Sequence, residues 1–367
     1  MSLTILLIFV LGLIFLVVGA SALVRGASQL AENFGMSPLI IGLTVVALGT
    51  STPEIAVSVS SGISGAAGIA IGNVIGSNIF NILFILGLSA IITPMMVAQQ
   101  LIRLDVPVLI GTSILTWLLC LNGQLGSIDA VILLIILVTY TVFLIFFSKR
   151  ESTTVKAEYE DEFGHKGSQP GHWLVNSGFF IVGLILLVFG ANWFVRGAQS
   201  IARFAGVSES IIGLTIVAAG TSLPEAATSI MAALRGERDI AVGNVIGSSI
   251  FNLLAVLGIA GVVAPKGLQI PNGMLQLDFP FFIAVAIACF PIFFTGSRIN
   301  RWEGFLFLVY YLAYLLYLIL NSSQHDLLPV FSSVMLIFVV PITVITLAII
   351  TIRETRRMSL KNSDRVD

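Results

Sequence analysis

Residues 19–88 and 190–259 are two copies of one sequence. At a constant offset of 171 and with no gap, 38 of the 70 positions are identical. GASALVRGASQLAENFG at 19–35 lies over GANWFVRGAQSIARFAG at 190–206. IIGLTVVALGTSTPE, ending at Glu54, lies over IIGLTIVAAGTSLPE, ending at Glu225, and GNVIGSNIFN at 72–81 lies over GNVIGSSIFN at 243–252. A duplicated chain builds its local structure twice, so the main open question is how the two copies are oriented.

Composition decides the solvent. Only 10% of the 367 residues are charged and 57% are hydrophobic, against about 25% charged in soluble domains. The chain therefore reads as a polytopic membrane protein surrounded by lipid. A net charge of -1 offers nothing to nucleic acid, and no protein partner is expected. Apolar runs of membrane-spanning length fall at roughly 3–24, 38–62, 69–93, 104–121, 127–148, 173–195, 209–234, 240–263, 279–296, 302–320 and 328–352. The first has no basic region before it and is long enough to span, so it reads as a helix rather than a cleaved leader. Corresponding positions are separated by five helices, an odd number, so the repeats point in opposite directions across the bilayer. Inverted repeats with interrupted helices characterise secondary transporters with a site near the midplane.

The predicted organisation is all-α: a five-helix repeat at 1–148, a cytoplasmic linker at 149–172, an inverted five-helix repeat at 173–320, an additional transmembrane helix at 321–352 and a basic tail at 353–367. Placing the N-terminus outside puts fifteen basic residues on the inner side. Only Arg196, Arg203 and Lys266 are left outside, which orients the chain in a cell (inner or plasma) membrane with a cytoplasmic C-terminus. Arg25 and Arg196 are expected at helix ends, snorkelling to the interface. The acidic group Glu158, Glu160, Asp161 and Glu162 lacks the spacing of a calcium loop and reads as solvated linker. Cys120 and Cys289 each sit in an apolar run and read as buried thiols, with no disulfide or zinc spacing.

Glu54 and Glu225 are the residues that demand a function, because a carboxylate at membrane depth is costly and by default marks a site. Thr50 and Ser51 precede Glu54 by four and three residues, which puts them on its face of a helix. Pro53 cannot donate to the carbonyl of Gly49 and crowds it, so the helix should break there. A break at membrane depth frees carbonyl oxygens that need a partner. Asn73, Ser77 and Asn81 recur every four residues as one polar stripe on the next helix. The second copy repeats the set as Thr221, Ser222, Pro224 and Glu225, then Asn244, Ser248 and Asn252. Two carboxylates with several neutral oxygens suit calcium, which takes 6–8 oxygen ligands. Neither thiol nor imidazole is present to favour zinc or copper.

GTSxPE followed by GNxxGSxxxN, twice and inverted, resembles the α-repeats of the sodium/calcium exchanger family within the calcium/cation antiporters. The resemblance spans ten of the eleven predicted helices. It implies a five-plus-five helix fold, a site on the second, third, seventh and eighth helices, and long first and sixth helices that slide to alternate access. It further implies Glu54 and Glu225 as shared calcium and sodium ligands, with oxygens from Thr50 and Thr221. Ser51, Ser222, Ser77 and Ser248 would line flanking sodium sites and Asn81 and Asn252 the middle, with Ala47, Ala218, Asn73 and Asn244 completing the metal set. Calcium and sodium are then cargo, the bilayer is the only other partner, no cofactor is needed and the chain is not an enzyme.

The expected activity is electrogenic, potassium-independent sodium/calcium antiport, since potassium-dependent relatives carry an acid at the position of Asn252. A calcium/proton exchanger on the same fold is the near alternative, and the neutral Asn81 and Asn252 argue against it. A channel would need an open multi-site path, whereas paired inverted half-sites suggest occlusion. An intramembrane hydrolase would need an arrangement for stabilising an electrophile, and the sequence points to none.

Overall fold

The computed structural model describes residues 3–151, 173–207 and 212–363. The acidic linker cluster therefore lies outside the described residues, as does the approach to the seventh segment. Among the described residues, nine helices are long and apolar enough to cross a membrane. The two remaining predicted segments are the interrupted ones. The second is a pair, Pro38–Thr50 and Thr52–Ile63, bent by 45°. The seventh runs through Gly213–Val217 and Ala218–Gly220 before restarting as Leu223–Leu234.

One expectation needs correction. The first and sixth helices, Leu3–Phe34 and Trp173–Phe204, each run for 32 residues, well past their apolar stretches. Arg25 and Arg196 therefore lie inside helices rather than at their ends. Hydropathy falls there, but Ala, Gln, Arg and Glu are strong helix formers, so nothing stops the helix. Arg25 is exposed and lies over the Phe179 ring at 5.0 Å, a cation–π contact. The fold is all-α as expected, with two short strand pairs between its loops. Met95–Met96 (β1) pairs antiparallel with Arg298–Ile299 (β4), and Gln124–Leu125 (β2) with Leu268–Gln269 (β3). Each short ladder joins a loop of one repeat to a loop of the other.

The first and sixth helices pack along their length through glycines spaced by seven: Gly12, Gly19 and Gly26 against Gly183, Gly190 and Gly197. A Cβ on Gly19 would stand 2.8 Å from the Gly183 carbonyl oxygen, and one on Gly183 would stand 2.5 Å from the Leu23 nitrogen. Small residues that admit close backbone approach are the usual device for helix association in lipid. The third and eighth spans, Ala67–Ile92 and Arg238–Val263, are the most buried of the bundle.

Within each repeat the fourth span is tied to the fifth by the same polar pair. Tyr140 donates its hydroxyl to Asp105 at 2.9 Å, and Tyr314 donates to Asp278 at 3.0 Å. Both aspartates end wide π-type turns, Leu101–Asp105 and Met274–Asp278. The duplication thus extends through helices where sequence identity has faded. The eleventh span, Leu328–Arg353, lies against the tenth, where Tyr310 donates to the Thr343 hydroxyl at 2.6 Å. No residue of its most apolar stretch is buried.

Candidate cation site

The site lies where the two interrupted helices meet the third and eighth. Ser51 stands at the break with φ -79° and ψ 7°, and Ser222 stands at the equivalent place with φ -89° and ψ 9°. The restarting halves Thr52–Ile63 and Leu223–Leu234 carry Pro53 and Pro224 at their beginnings, where a missing N–H leaves no bond unmade. Glu54 and Glu225 follow in the first turns, aligned with the positive ends of the half-helix dipoles. Both are fully buried.

Each carboxylate is held by the serine of the opposite repeat. Ser222 Oγ donates to Glu54 Oε1 at 2.9 Å, and Ser51 Oγ donates to Glu225 Oε1 at 3.1 Å. Ser77 adds a longer bond to Glu54 Oε1 at 3.4 Å. The threonines also cross: Thr50 Oγ1 donates to Asn244 Oδ1 at 3.2 Å, and Thr221 Oγ1 to Asn73 Oδ1 at 3.0 Å. Thr50 also lies 3.4 Å from the Ser248 hydroxyl. The amide nitrogens of Asn73 and Asn244 turn outward, to the backbone carbonyls of Glu54 and Glu225 and to the hydroxyls of Ser58 and Ser229 at 3.0 and 2.9 Å. Their oxygens thereby face the threonines. The Ala47 carbonyl receives the Ser51 N–H at 3.0 Å and the Thr50 hydroxyl at 3.4 Å. Ala218 opens the matching turn, and its side chain lies outside the described residues.

Four oxygens of the predicted site residues remain. Glu54 Oε2, Glu225 Oε2, Asn81 Oδ1 and Asn252 Oδ1 are buried and have no hydrogen-bond partner. Buried acceptors are normally satisfied, and an unmet carboxylate oxygen is the most costly kind. Two come from each repeat, all from residues with fully buried side chains. A dehydrated cation is the kind of partner such oxygens lack, and the donors already in place are spent on other atoms.

The chain matches the family described as sodium/calcium exchanger protein over residues 4–146 and 175–320. It is 33% identical to the sodium/calcium exchanger MaX1 of Methanosarcina acetivorans over 345 residues, covering 85% of this chain and 97% of that one. It is 37% identical over 260 residues to the inner membrane protein YrbG of Escherichia coli (strain K12), covering 70% and 79%. It superposes on the solved structure of the sodium-calcium exchanger NCX_Mj with a TM-score of 0.72 at 34% identity, covering 85% of this chain and 97% of that one.

The chain belongs to the sodium/calcium exchanger family.

The family match stops at residue 320, so the eleventh helix is an addition to the exchanger fold. Other residues of the site and its surroundings play no part in the sequence reading. Ser58 and Ser229, which orient Asn73 and Asn244, are identical in both copies and lie four residues after each glutamate, on its own helix face. Asp105 and Asp278 carry the repeated signature Leu-Asp-x-Pro, at 104–107 and 277–280, and that signature could have found them. Asn78 has no such signal, because its counterpart is Ser249.

Proposed function

We propose that this protein exchanges sodium for calcium by alternating access, with the fourteen residues read from the sequence forming its ion sites. The observation that carries the proposal is the set of four unpartnered buried oxygens on these residues, two of them carboxylate, shared equally between the repeats. The charge of two ionised glutamates balances one divalent ion or a pair of monovalent ones, the condition for competitive exchange at one place. The membrane is the cell (inner or plasma) membrane, with the N-terminus outside and the linker and C-terminus in the cytoplasm, as the positive-inside distribution argues.

The exposure of the site supports access from one side. Thr50 and Asn244 are fully buried, whereas Thr221 and Asn73 are only half-buried. In the proposed orientation Asn73 and Thr221 lie toward the outside. On the inner side the first helix packs against Leu223–Leu234. Ser28 Oγ donates to Glu237 Oε1 at 2.9 Å there, and Arg235 bonds the Ser21 hydroxyl. On this reading the conformation is outward-facing, and the inner contacts would break for calcium to enter from the cytoplasm.

Sealed proteoliposomes test the reading. A sodium gradient should drive calcium uptake, and a calcium gradient should drive sodium in the opposite sense. Calcium flux that follows a proton gradient and ignores sodium would replace sodium coupling with proton coupling. Three sodium ions per calcium, as the resemblance implies, move one net charge, worth about 2.3 kcal/mol per 100 mV. An imposed potassium-diffusion potential should therefore shift uptake severalfold, and indifference to it would exclude that stoichiometry. Transport should also persist when choline replaces potassium on both sides, because the resemblance implies an acid at the position of Asn252 in potassium-dependent relatives and this chain has a neutral amide there. Loss of uptake in choline would place a potassium ligand elsewhere in the chain.

A further inference from the structure

The third and eighth helices differ at one position of their shared motif. GSN at 76–78 faces GSS at 247–249, so Asn78 occupies the place that Ser249 takes in the other repeat. Both are fully buried. Asn78 donates Nδ2 to the Ser249 backbone carbonyl at 3.2 Å. A carbonyl only accepts, so this bond leaves the Asn78 amide one orientation. Its Oδ1 must then face the other way, where Asn252 Nδ2 donates to it at 3.0 Å. Asn252 is oriented in turn, and its Oδ1 is left unpartnered among the oxygens of the cation site.

The symmetry-related amide has no such support. Neither Oδ1 nor Nδ2 of Asn81 has a partner. Ser249 is too short to reach it and instead donates back to the Val245 carbonyl at 2.9 Å. The two half-sites are therefore unequal in an otherwise repeated structure. One middle amide is held with its oxygen presented, and the other is free to turn.

We propose that Asn78 is a positioning residue that sets cation affinity by fixing the Asn252 amide oxygen toward the site. This inference rests on the cation reading of that site. A donor held in its binding orientation lowers the ordering cost of association, so the effect should appear in affinity and leave turnover alone. Substitution by serine introduces the residue that the other repeat already accommodates in the same helical setting.

The test compares wild type, Asn78→Ser and Asn78→Ser/Ser249→Asn by equilibrium calcium-45 binding to purified protein and by uptake kinetics. Asn78→Ser should weaken calcium binding and raise the half-saturating concentration by about tenfold, the scale of one net hydrogen bond, with maximal rate within about twofold of wild type by the same argument. The double variant moves the clamp to Asn81 and should restore affinity to within about threefold, since the repeats are interchangeable in this respect. Unchanged affinity in Asn78→Ser overturns the inference, as does a loss that the double variant fails to recover. Should Asn78→Ser not fold, the double variant decides alone: near-wild-type affinity supports the clamp and weak affinity overturns it. Wild-type protein that binds no calcium would instead remove the cation reading, an outcome distinct from all of these.

Discussion

Glu54→Gln and Glu225→Gln are each expected to abolish sodium-driven calcium uptake while leaving a folded, monodisperse protein. Glutamine keeps the shape and one acceptor oxygen, so the bonds that Ser222 and Ser51 give to Oε1 can persist. What disappears is a unit of negative charge beside the cation. At about 4 Å and an effective dielectric near 20, one pair of unit charges is worth about 4 kcal/mol, and a divalent ion doubles that. At about 1.4 kcal/mol per tenfold, the loss exceeds a thousandfold in calcium affinity, beyond the range of a flux assay. The same substitution has an opposite effect on the empty protein. Two fully buried carboxylates, each with one oxygen unpartnered, oppose folding when no ion is bound. The melting temperature in chelator should therefore rise in either variant, while the stabilisation that wild type gains from added calcium should vanish. Uptake at wild-type levels in either variant would sink the site assignment.

Gly19→Leu is expected to do the reverse, destabilising the fold without touching the site. A side chain there meets the Gly183 carbonyl oxygen and the Leu187 nitrogen, both at 2.8 Å. These are backbone atoms inside a helix and cannot turn away, so the two long helices must separate. Their separation breaks the packing of Gly12 on Phe194 and Gly26 on Phe180 above and below. Overpacking a tight contact costs about 1–3 kcal/mol and more where nothing relaxes. At about 2.1 cal/mol/K of unfolding entropy per residue, that range lowers the melting temperature of a chain of this size by roughly 1–4 °C. Gly178→Leu is the control, since no described atom lies within 4 Å of its added Cβ. Fluorescence-detected melting of the two variants compares them directly. Equal stability would show that the first and sixth helices do not depend on close approach.

Much of this protein is legible without coordinates because duplication and lipid each impose a strong rule. Apolar runs of fixed length locate the spans, and an odd number of helices between Glu54 and Glu225 inverts the repeats. Pro53 and Pro224, each one residue before its glutamate, mark where the helices must break. The structure breaks them at Ser51 and Ser222. Where sequence reading erred, hydropathy was being used for a question it does not answer. The first and sixth helices continue to Phe34 and Phe204 because backbone hydrogen bonding does not end where apolar side chains do.

By itself the sequence determined the solvent, the duplication, the inversion and the identity of the buried acids, since each follows from composition, spacing or parity along the chain. Only the tertiary structure decided which oxygen of each acid is spent and which is free. Ser222 reaches Glu54 across 168 positions of sequence and Ser51 reaches Glu225 across 174. Such pairings depend on how the two repeats interlock, which no local pattern encodes. The inequality of Asn81 and Asn252 belongs to the same class. One substitution between the copies, Asn78 against Ser249, looks minor along the chain. It acquires a consequence only because the third and eighth helices cross with the Ser249 carbonyl on one side of Asn78 and the Asn252 amide on the other.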